Sequence, residues 1–187
     1  VTTELALFNL EINLDPFELT KDCFALLENQ LTELLQKVAK KATEVENNKV
    51  ILTGILSTLK KKDLVFSNMT PYERYKTLNN VIKSIRGDDF NFQIQGVEEM
   101  ILKHESILFE ACNTSFQVHL QIDAEQSIDK YNWSQAIAGP MLSVMSNSPM
   151  LFGKELWSET RIALFQQSVD LRNTSYLLRE QKPRASF

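Results

Sequence analysis

The residues best suited to chemistry lie in the stretch Ser115–Ile122, which alternates polar and apolar side chains without a break. In an extended strand, successive side chains point to opposite faces. One face of this stretch is therefore apolar, and the other carries Ser115, Gln117, His119 and Gln121. The polar face offers neutral hydrogen-bonding groups and one imidazole, but no charged side chain. This pattern is typical of a wet pocket that holds a polar ligand or an ion.

The stretch Leu5–Leu14 repeats the alternation, with Asn9, Glu11 and Asn13 on its polar face. If both stretches belong to one antiparallel sheet, the carboxylate of Glu11 and the imidazole of His119 face the same open side. Such a pair among amide side chains suits Mg²⁺ or Mn²⁺ better than Zn²⁺. The alternative is that Glu11 is an ordinary solvated side chain, and the pattern alone favours this alternative.

Length and composition limit the classes of protein to which this chain can belong. Its 187 residues, 43% apolar and 24% charged, are typical of one globular domain with a substantial core. A net charge of −4 argues against nucleic-acid binding, and no apolar run approaches the ~20 residues of a membrane span. Cys23 and Cys112 form no disulfide framework, which predicts a reducing, cytoplasmic location. The chain starts Val-Thr-Thr without Met, so we expect a fragment or an excised domain.

The other segments predict an α+β fold, in which helices pack on one face of an antiparallel sheet. Further strands are expected at Phe90–Gln95 and at Lys49–Ser57, where Gly54 indicates a bulge or a close approach to another group. The segment Val97–Cys112 is interpreted as a short helix leading into a strand. Helices are expected at Glu18–Glu46, from the capping box Thr70–Glu73 to Gly87, and at Asp123–Ser146.

The C-terminal segment is expected to be a loop followed by a helix, from Ser158 to about Leu178, and residues 180–187 to be a disordered tail. Arg161, Arg172 and Arg179 lie along this segment. With 5 glycines in the chain, no glycine-rich phosphate loop or dinucleotide fingerprint is present. A nucleotide would have to be held through metal ions and side chains.

Three stretches resemble successive landmarks of the glutamate–cysteine ligase superfamily. They are Glu110–His119, Asn147–Gly153 and Glu159–Arg161. The match is to the second family, the carboxylate–amine ligases that include the plant-type enzymes. Members carry a strand with Cys-x-x-x-x-Gln-Val-Asn or His-Val-His, a helix that ends in Asn-Ser-Pro, and a substrate arginine soon afterwards. The early stretch around Glu11 is similar to the family's acidic strand, so the resemblance extends from Glu4 to about Arg172.

The resemblance implies a glutamine synthetase-like fold, with residues 1–179 as a single carboxylate–amine ligase-like domain. It also implies ATP and Mg²⁺ (or Mn²⁺) as cofactors, and small-molecule substrates, namely glutamate and an amine such as cysteine. In that reaction ATP phosphorylates the γ-carboxylate of glutamate, and the amine then attacks the γ-glutamyl phosphate. This is the chemistry of glutathione biosynthesis. No nucleic-acid or membrane partner is expected.

The resemblance also assigns roles to the metal-binding candidates. Glu11 matches a metal ligand, and Glu4 matches a second acidic position. Their seven-residue spacing puts these two side chains on opposite faces of a regular strand, so Glu4 needs a bulge or a strand start to reach the site. His119 matches a position that contacts metal or nucleotide, against the alternative of a hydrogen-bonded surface histidine.

The expected substrate-binding residues are Arg161, Gln117 and Asn9. Arg161 matches the arginine that binds a substrate carboxylate, for which its forked guanidinium is well shaped. The alternative is a helix-surface arginine paired with Glu159. Gln117 and Asn9 lie on the polar faces that carry His119 and Glu11.

The family places a strand with Gly-x-Glu-x-Glu metal ligands before the Glu4 region and further ligands after the Arg172 region. We therefore expect this chain to be the central part of a larger enzyme and to be inactive in isolation. The competing hypothesis is a non-catalytic small-molecule-binding or scaffold domain that retains the ligase fold.

Overall fold

The structure is a computed structural model that describes residues 1–170. The chain divides into two compact units, Val1–Leu52 and the segment that starts at Thr53. Arg172, Arg179 and the expected tail at 180–187 lie outside the described residues. No helix within residues 1–170 is long and apolar enough to cross a membrane. Helices and small antiparallel ladders are both present, in agreement with the α+β class.

The first unit begins with a short hairpin of β1 (Thr2–Thr3) and β2 (Leu10–Glu11). The register is antiparallel and pairs Thr2 with Glu11. Between the strands the chain folds back, with the Asn9 N–H donating to the Ala6 carbonyl over 3.1 Å. The continuous strand expected at Leu5–Leu14 is therefore wrong. The reversal pairs the end of that stretch with the chain start, so that Leu10–Glu11 form a ladder with Thr2–Thr3.

The long helix α1 spans Cys23–Glu46 and starts five residues later than expected. It ends at Asn47, as the sequence predicts, in the left-handed conformation with φ 55°. Asparagine tolerates this conformation better than most residues. The N–H groups of Asn47 and Asn48 donate to the carbonyls of Thr43 and Ala42, which closes the last turn.

The core of the second unit is built on the hairpin β3 (Phe90–Gln95) and β4 (Glu99–His104). Side chains of β3 alternate strictly between buried and exposed, as its sequence predicts. The ring of Phe92 stacks on Phe109 with a centroid distance of 4.1 Å. Phe109 belongs to the 3₁₀ segment Ile107–Cys112, which the helix α4 (Thr160–Ser168) contacts together with β3.

The segment Val97–Cys112 therefore has the reverse of the expected order, with the strand first and a 3₁₀ helix after it. The cause is the turn at Gly96, whose N–H donates to the Glu98 carbonyl over 2.8 Å. That turn brings β4 alongside β3, and six residue pairs form. The cross-strand hydrogen bonds outweigh the helical preference of the sequence.

Two expected strands, Lys49–Ser57 and Ser115–Ile122, have no ladder partner among the described residues. A strand is stable only when its backbone N–H and C=O groups pair with a neighbour. The apolar face of the second stretch is exposed, with Phe116 at 65% and Val118 at 71%. The single antiparallel sheet expected from sequence is thus replaced, within residues 1–170, by three separate two-stranded ladders.

Helix α2 spans Glu73–Arg86 and ends, as predicted, at Gly87, which has φ 75°. The expected capping box does not form, since the cap residue is Tyr72 and no side chain bonds to the cap. The side chains that α2 buries are polar. Asn79 and Arg86 are buried, whereas the apolar residues Leu78, Val81 and Ile85 are exposed. Asn79 Oδ1 accepts from the Ile107 N–H, and the Arg86 guanidinium lies 4.8 Å from the Phe90 ring centre.

The helix α3 spans Ser127–Met145, with Pro140 inside it and, among the described residues, no buried side chain. It ends just before Asn147, as expected from the Asn-Ser-Pro sequence. A second hairpin follows, β5 (Met150–Leu151) with β6 (Lys154–Glu155). Its turn uses left-handed backbone at Phe152 and Gly153. A short segment then connects the hairpin to the helix α4.

The core contact of Phe92 gives a stability prediction. Phe92 is 1% exposed and stacks on Phe109. We expect Phe92→Ala to lower the free energy of unfolding by about 3–5 kcal/mol, because it leaves a cavity that the ladder cannot close. Ile101→Ala on the paired strand is the control and should cost less than about 1 kcal/mol, since Ile101 is 71% exposed. Urea denaturation measures both, and equal losses would contradict the prediction.

Candidate functional site

The polar face of Ser115–Ile122 forms a row of hydrogen-bonded side chains although the segment has no ladder partner. Gln117 Nε2 donates to Ser115 Oγ over 3.3 Å, and Gln117 Oε1 accepts from His119 Nε2 over 3.3 Å. Contacts at this two-residue spacing place the three side chains on one side of an extended backbone. An oxygen acceptor puts the proton of His119 on Nε2, which leaves Nδ1 with a lone pair for a ligand.

The metal-binding candidates Glu4 and Glu11, and Asn9, lie in the first unit, whereas His119 lies in the second. Glu11 is exposed, and its Oε2 accepts from Thr2 Oγ1 over 2.8 Å. Glu4 follows β1 directly, and its Oε2 accepts from the Leu5 N–H over 3.2 Å. Within residues 1–170, no group of three or more His, Cys, Asp or Glu side chains could hold a metal ion. The metal ligand set of Glu11, His119 and Glu4 therefore stays a prediction.

Arg161 lies in the first turn of α4 and is partly buried. Its Nε donates to Glu159 in an ion pair, so the pairing that the alternative hypothesis expected is present. A second bond joins its Nη1 to the Thr114 carbonyl over 2.6 Å. Thr114 immediately precedes the hydrogen-bonded side chains of Ser115, Gln117 and His119, which we call the polar row. The structure therefore places Arg161 at the beginning of the segment that carries Gln117 and His119.

The carboxylate of Glu159 is the hub of this part of the second unit. Glu159 is 7% exposed, and its Oε1 accepts from Ser148 Oγ over 2.9 Å as well as from Arg161. Its Oε2 accepts from the Asn147 N–H over 3.1 Å. The sequence did not predict this role. It indicated Asn147 and Ser148 only as a helix end, and Glu159 only as the ion-pair partner of Arg161 in the alternative hypothesis. The available signal was that Ser148 and Glu159 lie on either side of the short segment that forms the hairpin of β5 and β6.

The ionisation of Glu159 follows from these contacts. Burial raises the pKa of a carboxyl group. Here the hydrogen bonds from Arg161, Ser148 and the Asn147 N–H, together with the charge of Arg161, outweigh burial and hold the pKa of Glu159 below its ordinary value. Glu159 is therefore an anion at neutral pH, and its charge is balanced by Arg161.

Gly54 closes the other side of this cluster. The Thr114 N–H donates to the Gly54 carbonyl over 2.9 Å. A Cβ on Gly54 would overlap Asn147 Oδ1 and lie 2.9 Å from Arg161 Nε. The close approach that the glycine indicates in the sequence is confirmed, although the surrounding segment is not a strand. We call Gly54, Thr114, Ser148, Glu159 and Arg161 the arginine cluster.

The arginine cluster has the chemistry of a carboxylate-binding site. A guanidinium has five N–H donors. The two bonds to Glu159 and Thr114 use two of them, so 5 − 2 = 3 have no partner among the described residues. A planar carboxylate needs two parallel donors for bidentate binding. Cys112, two residues before Thr114 in the sequence, is not a nucleophile, because burial, with the charge of Glu110, raises its pKa to about 12.

Comparison with known proteins gives one finding. The family model described as Glutamate-cysteine ligase family 2 (GCS2) matches residues 1–179, which is most of the chain; it covers the first unit and most of the second. Neither the curated proteins nor the solved structures contain a significant match.

The arginine cluster predicts how stability depends on pH. Since the folded-state pKa of Glu159 is lowered, its contribution is complete above the unfolded value of about 4.3 and is lost as the pH falls through the folded-state value. We expect Glu159→Gln to lower the free energy of unfolding at pH 7 by about 1–3 kcal/mol.

Denaturation of Glu159→Gln and the unsubstituted protein between pH 7 and pH 3 measures the effect. The difference between the two proteins should shrink as the pH falls below about 4. Glu155→Gln, at an exposed position on β6, is the matched control and should change stability little. A pH-independent difference would contradict the assigned ionisation.

Proposed function

Because this chain belongs to glutamate–cysteine ligase family 2, we propose that it contributes to an ATP-dependent ligase that joins glutamate to an amine such as cysteine. A γ-carboxylate oxygen of glutamate attacks the terminal phosphorus of ATP, and ADP leaves. The amine nitrogen attacks the acyl carbon of the γ-glutamyl phosphate, inorganic phosphate leaves with the bonding electrons, and the amine loses a proton. Both steps need the reacting groups to be oriented and their negative charges offset.

The observation that carries the proposal is that three N–H donors of Arg161 have no partner among the described residues. In our proposal these donors bind the carboxylate of glutamate that does not react. A γ-carboxylate held by two such bonds would lose nucleophilicity, so the α-carboxylate is the better ligand for Arg161. Binding there leaves the γ-carboxylate free to extend along the polar row.

The polar row supplies the second part of the proposal. Gln117 holds the imidazole of His119 in one tautomer, so that Nδ1 is the atom offered to a ligand. We assign His119 to the nucleotide or to Mg²⁺ (or Mn²⁺). For the first unit, Glu11 and Glu4 are the proposed metal ligands and Asn9 is the proposed substrate-binding amide. When bound, the divalent cation would offset the charge of the triphosphate.

A second candidate function is a binding or scaffold domain that retains the fold without catalysis. One observation favours it, namely that the charge of Arg161 is already balanced by Glu159. Calorimetry separates the two functions. A ligase binds ATP in a Mg²⁺-dependent way and also binds glutamate, whereas a scaffold shows no metal-dependent ATP binding.

The proposed reaction is tested by product formation. With ATP, Mg²⁺, glutamate and cysteine, we expect the purified protein that contains this chain to release ADP and amide product in equal amounts. Omission of the amine should lower ADP release, because the acyl phosphate is then consumed only by water. Absence of ADP release with glutamate and every amine tested would rule out the ligase.

Loss of Arg161 tests the substrate assignment. Charge-assisted hydrogen bonds contribute about 1.5–3 kcal/mol, and 1.4 kcal/mol corresponds to a tenfold change in affinity. We therefore expect Arg161→Ala to raise the KM for glutamate about 10- to 100-fold, with little change in the KM for ATP.

Arg161→Lys should recover only part of this loss, since an ammonium group lacks the planar fork. Lys130→Ala, at an exposed position on α3, controls for loss of positive charge and should leave both KM values unchanged. An unchanged KM for glutamate in Arg161→Ala would refute the assignment.

A further inference from the structure

We propose that Ser148 and Glu159 are positioning residues, which fix the guanidinium of Arg161 in its binding orientation before a carboxylate arrives. This inference rests on the proposed role of Arg161 in substrate binding and names the residues that control it. Neither Ser148 nor Glu159 touches the substrate. They act through Arg161.

The first step is the immobilisation of the Glu159 carboxylate. Ser148 Oγ and the Asn147 N–H bind different oxygens of that carboxylate, at 2.9 Å and 3.1 Å. Ser148 is 1% exposed, and its own N–H donates to the Ser158 carbonyl over 3.0 Å. The Thr160 N–H returns a bond to the Ser148 carbonyl over 3.1 Å. The backbone on both sides of the carboxylate is therefore tied together, and rotation of the carboxylate breaks at least one bond.

The second step is that the immobilised Glu159 carboxylate orients the side chain of Arg161. Its Nε is bound to Glu159, and its Nη1 is bound to the Thr114 carbonyl. Hydrogen bonds at both Nε and Nη1 restrict rotation of the planar guanidinium, so the remaining donors are held in a narrow range of directions. Gly54 blocks movement on one side, because its backbone lies too close to Arg161 for even a Cβ to fit. A free arginine side chain would sample many rotamers.

The consequence is preorganisation of the carboxylate site. An arginine that is already ordered loses less conformational entropy when a ligand binds, so affinity is greater than for a mobile arginine. Removal of the Ser148 hydroxyl loosens Glu159 without changing any group that the substrate contacts. The expected effect is weaker binding of glutamate with an unchanged chemical step, which appears in KM and not in kcat.

A double-mutant cycle tests this route. We expect Ser148→Ala to raise the KM for glutamate three- to tenfold with kcat within twofold of the unsubstituted enzyme. Ser158→Ala removes an exposed neighbouring hydroxyl and should change neither constant. In an Arg161→Ala background, Ser148→Ala should have no further effect, because the residue through which it acts is gone. A loss that persists in that background overturns the inference.

A second measurement does not depend on activity. The Nε–H of Arg161 gives a distinct NMR signal, and its bond to Glu159 slows exchange with solvent. We expect Ser148→Ala to accelerate that exchange at least tenfold and Ser158→Ala to leave it unchanged. An unchanged exchange rate in Ser148→Ala overturns the positioning role. If exchange responds but Arg161→Ala leaves glutamate binding unchanged, the substrate role in the proposed function fails instead.

Discussion

A buried carboxylate needs hydrogen-bond donors and an opposite charge, and the arginine cluster of the second unit is arranged to supply them. Glu159 is an anion in a place that water reaches poorly, and an uncompensated charge there would cost several kcal/mol, about as much as the net stability of many domains. The structure meets this cost with a hydroxyl, a backbone N–H and a guanidinium. These donors come from different segments, so satisfying one side chain brings the end of α3 and the start of α4 together. Arg161 gains its orientation from the same arrangement.

Hydrogen bonds to buried polar groups also decide how other parts of the second unit pack. Helix α2 turns Asn79 and Arg86 inward, although its apolar residues would favour another face. His104 connects the end of β4 to a distant turn, since its Nδ1 accepts from the Ser106 N–H over 3.1 Å and its Nε2 donates to the Leu64 carbonyl over 3.1 Å. In both places a side chain supplies a hydrogen-bond partner to a backbone group, Asn79 to the Ile107 N–H and His104 to the Ser106 N–H and the Leu64 carbonyl. Polar contacts therefore set orientations that an apolar stripe alone would set differently.

The segment Ser115–Ile122 shows that the faces of a strand and its ladder have separate causes. Its side chains keep the two-residue alternation, and the polar face forms the connected row from Ser115 to His119. Alternation depends only on the local backbone. A ladder needs a second chain segment at hydrogen-bonding distance, and none of the described residues supplies one. The polar row is consequently open to solvent, beside the arginine cluster that Thr114 connects to it.

The sequence by itself determined the features that depend on local chemistry. These are the family, the α+β class, the end of α1 at Asn47, the end of α2 at Gly87, the alternation of β3, and the close approach at Gly54. Each follows from a residue whose own conformational preference or spacing is decisive. Only the tertiary structure decided which stretches have ladder partners, which face of α2 is buried, and that Glu159 is the hub that orients Arg161. These features depend on contacts between residues far apart in the chain, where the free energy of a hydrogen bond or a buried charge is set by its partners and not by the residue itself.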